Sequence, residues 1–250
     1  MITLFRRIRQ KLIESGSVTR YLLYAMGEIA LVMIGILLAL QVNNWNEERR
    51  LLISAEDHLQ LLESNLQDDY QKLISLKNEV ETSLESSENL MERYKQNMEA
   101  DIDSMMFELT QLIFEFNFSP DKSAMDILVN SGELGVLPDA IREQISQYYN
   151  SAEYIEERDE ISNSFIKNQY EVVVLNNYSS FWTRRNSHPA LAIYNDDQRD
   201  PAPVDPQVIL KDKRLETMVF ARSFQLRRQQ EAYQEGKVHL ETLIQTLKDR

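Results

Sequence analysis

From Tyr21 to Trp45 the chain is apolar at almost every position, and the only charge between Arg20 and Glu47 is Glu28. A helix of that length crosses the hydrocarbon core of a bilayer, which is about 30 Å thick. Residues 20–45 are therefore predicted to be a transmembrane helix. No glycine or proline occurs from residue 36 to residue 119, so nothing obliges this helix to stop at the membrane surface. Beyond it, Leu52, Ala55, Leu59, Leu62, Leu66, Tyr70, Leu73, Leu76, Val80, Leu84, Ser87, Met91, Tyr94 and Met98 recur at steps of three and four. That is one face of an amphipathic helix.

The pattern breaks at Asp101–Ser104 and resumes as a shorter helix carrying Met105, Phe107, Leu109, Leu112, Phe114 and Phe116. Ser119-Pro120 starts another, since proline fits a first helical turn, and the run from Asn130 to Gly135 ends it. Residues 101–137 are thus predicted to be a helical hairpin. Pro138-Asp139 restarts a long helix with the stripe Ile141, Ile145, Tyr148, Ala152, Ile155, Ile161, Phe165, Val172 and Leu175. Glu171-Val-Val-Val-Leu175 is rich in β-branched residues, but with no partner strand elsewhere it is assigned to the helix. Between Thr183 and Pro206 periodicity gives way to proline, asparagine and aspartate, the marks of a long loop. The last helix runs from about Asp212 to Leu247, with Leu215, Val219, Arg222, Leu226, Gln229, Tyr233, Leu240, Leu243 and Leu247 on its seam. Two of those positions are polar, which predicts looser or wetter packing there.

The predicted fold is all-α: a transmembrane helix continuing into an elongated antiparallel bundle with residues 101–137 as a distal hairpin. In that arrangement the second long helix returns toward the membrane. The 183–206 loop becomes membrane-proximal, and Trp182, Arg184 and Arg185, next to Phe181, meet headgroups of the outer leaflet.

Charge adds orientation. The chain carries a net charge of -13 at pH 7, unevenly spread. Through Trp45 there are five basic and two acidic residues, which leaves 22 basic and 38 acidic after it. So acidic a body repels nucleic acid and anionic lipid. Arg6, Arg7, Arg9, Lys11 and Arg20 precede the span, and the positive-inside rule places them in the cytoplasm and the body outside. Residues 1–19 form a basic leader, with Phe5, Ile8, Leu12 and Ile13 spaced as on a short interfacial helix; a disordered leader is the alternative. A cleaved signal peptide is the rival to an anchor. It is disfavoured by the long region before the apolar core and by the lack of a small-x-small site after Leu40.

Candidate chemistry is sparse. There is no cysteine, which removes disulfides, thiolate metal sites and cysteine nucleophiles. His58, His188 and His239 are scattered, and no zinc-protease helix, nucleophile elbow or phosphate-cradling glycine loop is present. The expectation is no enzyme, no cofactor and no metal. Glu153, Glu156, Glu157, Asp159 and Glu160 carry oxygen ligands suited to a divalent cation, but such runs are usually a solvated helix face. Glu28 is the residue that invites a role, because carboxylates inside a membrane are costly. It lies about 10 Å inside if the core is Tyr21–Leu40, and at the inner interface if the core is Ile29–Trp45; Tyr24, one turn earlier, is within hydrogen-bonding range in either case. Glu28, Val32, Gly35, Ala39 and Asn43 share one helical face, where small residues let backbones approach and an amide can bond across. That face is predicted to associate with a second copy.

The segment Gly27-Glu-Ile-x-Leu-Val-x-Ile-Gly-Ile-Leu-x-Ala-Leu-Gln-x-Asn-Asn-Trp-Asn-Glu47, with the Phe5-Arg-Arg-Ile-Arg-Gln leader, resembles an uncharacterised family of single-span membrane proteins from Bacteroidota. Asp126–Leu134 and Leu137–Asn150 are similar to that family's central segment. The resemblance implies a Gram-negative inner membrane and a periplasmic body, residues 46–250. It supplies no activity, substrate or catalytic residue. The expected role is a membrane-anchored interaction or scaffold module, sensor-like, homo-oligomeric through its span, with the bilayer and an unidentified membrane or periplasmic protein as partners. The alternative is an accessory subunit of an ion-coupled membrane machine that uses Glu28.

Overall fold

The structure is a computed structural model that describes residues 18–96, 102–178 and 205–250. The leader and Trp182, Arg184 and Arg185 lie outside the described residues. The chain divides into two compact units, Met1–Glu56 and Asp57–Arg250. Among the described residues there is helix and no strand.

As the lack of breakers predicts, a single helix, α1 (Val18–Gln96), runs through the apolar stretch and far beyond it. Gly27 and Gly35 do not interrupt it. In the first unit the leucine, isoleucine, valine and methionine side chains from Leu22 to Val42 are each more than half exposed. The most apolar 18-residue window has a mean hydropathy of 2.2, long and apolar enough to cross a membrane.

In the second unit the polarity is reversed, and α1 turns Leu59, Leu62, Leu66, Leu73, Val80, Leu84, Leu90 and Tyr94 into a core. The chain then comes back along it. In the last turn of helix α2 (Ile102–Gln111), Glu108 is clasped by Arg93 through Nε and Nη2, both 2.8 Å from the carboxylate. Ser83 Oγ then donates to the Gln111 carbonyl at 3.1 Å. Asp69 receives the Asp121 amide, and Asn65 donates to Ser123 at the start of α3 (Ser123–Asn130). His58 meets Glu133 in a 3₁₀ turn, Glu133–Val136. Gly132, at φ 80°, makes the left-handed turn between α3 and the 3₁₀ turn.

Residues 102–137 are therefore not a hairpin at one end. They form the second course of the bundle, antiparallel to α1. Helix α4 (Asp139–Phe165), a π turn (Ile166–Tyr170) and α5 (Glu171–Tyr178) make the third course. It runs parallel to α1, because Tyr148 bonds Asp69 near one end and Tyr170 bonds the Leu109 carbonyl near the other. The short α6 (Pro206–Lys211) precedes α7 (Lys213–Lys248), which closes the bundle antiparallel to α1. Arg227–Glu88, Gln230–Glu81 and Tyr70–Glu241 set that register. Asp205 and Asp212 cap α6 and α7 by accepting from the first backbone amides.

This topology corrects the expected return of the second long helix. Tyr178 and Asp212, which flank the 179–204 segment and hydrogen-bond each other, lie in the electrostatic neighbourhood of Tyr94, the far end of α1 from Asp57.

Candidate functional site

The second course is helical only at its ends. After α2 the chain is non-helical to residue 122, and from Glu115 onward burial alternates: Phe116, Phe118 and Pro120 are buried while Glu115, Asn117 and Ser119 are exposed. Period-two burial is the mark of an extended chain. An extended segment placed among helices needs hydrogen-bond partners for its backbone, and here side chains provide them. Asn163 accepts the Phe116 amide at 3.2 Å and donates to the Phe116 carbonyl at 2.8 Å. Asp159 accepts the Phe118 amide at 2.8 Å. The spacing fits: four residues of helix rise about 6 Å, close to two residues of extended chain at about 6.6 Å. Arg222 of α7 also reaches across the core and donates to the carbonyls of Leu112 (3.2 Å) and Phe114 (3.0 Å).

These side chains join into one network. Arg222 also donates to Ser162, and Ser162 donates to Gln229 at 2.8 Å. Gln229 and Tyr233 both donate to Asp159, at 2.7 and 2.8 Å. Arg222 is fully buried, and its guanidinium lies 5.7 Å from the centre of the Phe116 ring. Burial is the largest influence on both ionisable members. It raises the Asp159 carboxyl above its ordinary 3.8, opposed by the Phe118, Gln229 and Tyr233 hydrogen bonds and by Arg222. It lowers the Arg222 guanidinium to about 10, opposed by the negative potential of its neighbours. A second buried carboxylate, Asp69, holds the far end of the segment through the Asp121 amide and is bonded by Tyr148 at 2.8 Å. Burial raises the Tyr148 hydroxyl and keeps it a neutral donor. Arg222 and Gln229 sit where the helical stripe put them, but they are locked by hydrogen bonds rather than loosely packed.

The remaining candidates sort out as follows. Asp159 leaves the acidic run for the core, Glu156 pairs with Lys122 and Glu157 with Arg158, and no cluster of three metal-binding side chains occurs among the described residues. His58 is partly exposed with Nδ1 2.6 Å from a Glu133 carboxylate oxygen, and His239 Nδ1 lies 3.2 Å from the Gln147 carbonyl. On α1, Glu28 is half-buried, while Val32, Gly35, Ala39 and Asn43 are exposed along one face. The Tyr24 hydroxyl, one turn earlier, is buried without a hydrogen-bond partner among the described residues.

A shallow groove of about 460 Å³ lies between the extended segment and α4, lined by Asn117, Ser119, Glu156, Glu160, Lys167 and Asn168 among others. Its lysine is engaged, 2.8 Å from Glu115. The groove and the network beneath it offer hydrogen bonding and charge, with no nucleophile poised against a base. No protein-family model, curated protein or solved structure matches the chain.

Proposed function

We propose that the chain is a single-span protein of a Gram-negative inner membrane, with a cytoplasmic N-terminus and residues 46–250 in the periplasm. It works by interaction, as a scaffold or sensor-like module, and self-associates through the span face of Glu28, Val32, Gly35, Ala39 and Asn43. The observation that carries the reading is the opening stretch of α1. There the leucine, isoleucine, valine and methionine side chains from Leu22 to Val42 are each more than half exposed, which water penalises and lipid does not. The uneven charge supports the orientation. The resemblance to single-span proteins of Bacteroidota supports the compartment. A face of small residues and an amide supports association.

Cysteine substitution tests the anchor and the association face in one experiment, since the chain has no cysteine of its own. Membranes carrying Ala39→Cys or Leu37→Cys are extracted with alkaline carbonate and then oxidised. The expected result is protein retained in the membrane, with Ala39→Cys cross-linking to a second copy and Leu37→Cys, on the opposite face, doing so far less. Release by carbonate overturns the anchor. Preferential cross-linking at position 37 overturns the association face.

A further inference from the structure

We infer that the extended segment at residues 115–119 is a docking edge for an extended, basic segment of a partner polypeptide, which pairs with it strand to strand. The inference names the kind of partner for the interaction role proposed above and rests on that reading. In an extended chain the backbone groups of successive residues point to opposite sides. Those of Phe116 and Phe118 are taken by Asn163 and Asp159. Those of Glu115, Asn117 and Ser119 have no hydrogen-bond partner among the described residues, and all three residues are exposed. An unpaired edge is a template for another strand.

This one is also held in shape in advance. Arg222, Asn163 and Asp159 fix it at Phe114, Phe116 and Phe118 from a buried network, so little ordering cost remains for binding. Charge selects the occupant. The body after Trp45 carries 38 acidic against 22 basic residues, and beside the edge Glu160 and Asp121 have no ion-pair partner among the described residues while Lys167 and Lys122 are engaged. A basic extended segment is attracted, and a second copy of this acidic chain is repelled.

The test uses the full chain in detergent micelles and a fluorescent peptide of alternating lysine and threonine, read by polarisation. Three comparisons accompany it: the same peptide N-methylated at every second residue, a glutamate–threonine peptide, and the Asn117→Pro variant. That variant removes an outer amide, together with the Asn117 side-chain oxygen that accepts from Asn163 at 2.9 Å, so the methylated peptide is the cleaner comparison. The expected result is saturable binding of the lysine peptide. Methylation or Asn117→Pro weakens it about tenfold or more, the loss of one or two backbone hydrogen bonds, and the glutamate peptide does not bind. Equal binding of the methylated peptide means charge attraction alone and overturns the docking edge, as does the absence of saturable binding. If Asn117→Pro does not fold, the methylated peptide decides on the unmodified chain. Carbonate extraction of the same protein reads the anchor separately, so an anchored chain that binds no peptide overturns this inference alone.

Discussion

The seam between α4 and α7 contains two kinds of core a few turns apart. Around Gly236 it is apolar and tight: a Cβ added there would lie 2.5 Å from Ile155 Cδ1 and 3.8 Å from Leu73 Cδ2, so three helices meet where a methyl enters only if the end of the Ile155 side chain turns aside. Around Arg222 it is polar, with Asp159, Ser162, Asn163 and Gln229 all buried. The difference follows from what each layer faces. Opposite Gly236 the neighbours are helices, whose backbone groups satisfy one another. Opposite Arg222 the neighbour is an extended chain whose backbone groups would otherwise be buried without partners. Polar residues in this core are the partners of a backbone that lacks secondary structure.

The comparison can be broken most forcefully at Arg222. Arg222→Met keeps volume and apolar contact but removes the guanidinium that donates to the carbonyls of Leu112 and Phe114 and to Ser162. It also removes the positive charge that faces Asp159. Breaking a buried charged network from one side costs about 3–5 kcal/mol, so the urea midpoint should fall steeply. A loss below about 1 kcal/mol would mean that the extended segment does not depend on the network.

The apolar layer should respond to volume instead. Gly236→Ala gains about 1 kcal/mol in helix propensity but forces Ile155 aside, at a typical cost of about 1–3 kcal/mol for overpacking. The expected net is a loss of about 1 kcal/mol. Ile155→Val removes the Cδ1 atom in the way, and in that background Gly236→Ala should become stabilising. A thermal-melt double-mutant cycle that gives additive effects would mean that Ile155 does not set the approach of α7.

Much of this bundle was legible in the chain. The stripe from Leu215 to Leu247 is buried at every position named for it, Arg222 and Gln229 included, because one long regular helix keeps one phase. The third course was legible only to Ile155. Beyond it Ile161, Val172 and Leu175 face outward while Asp159, Ser162 and Asn163 face in. A polar residue aimed at a hidden backbone has the same sequence pattern as one aimed at water. The π turn at Ile166–Tyr170 then shifts the helical phase, so a stripe extrapolated through it falls out of register. Phe114-x-Phe116-x-Phe118 has a period of two, which signals extended chain rather than the helix assigned to Phe114 and Phe116.

The finest discrimination between the two layers is a dependence on pH that only the polar one can carry. Burial is the largest influence on the Asp159 carboxyl and raises it above its ordinary 3.8. The folded chain therefore holds that proton more tightly than the unfolded chain. The resulting stabilisation is complete below the unfolded value and is lost as pH rises through the raised folded value. Asp159→Asn has no proton to release, so the stability of the unmodified chain relative to this variant should be greatest at about pH 3.5 and decline toward about pH 7. Taking the difference cancels the other carboxylates, which are common to both proteins. Urea denaturation of the pair across that range reads it directly. A difference that grows with pH would mean that Tyr233, Gln229, the Phe118 amide and Arg222 together outweigh burial, and that the carboxylate is the form the fold was built to hold.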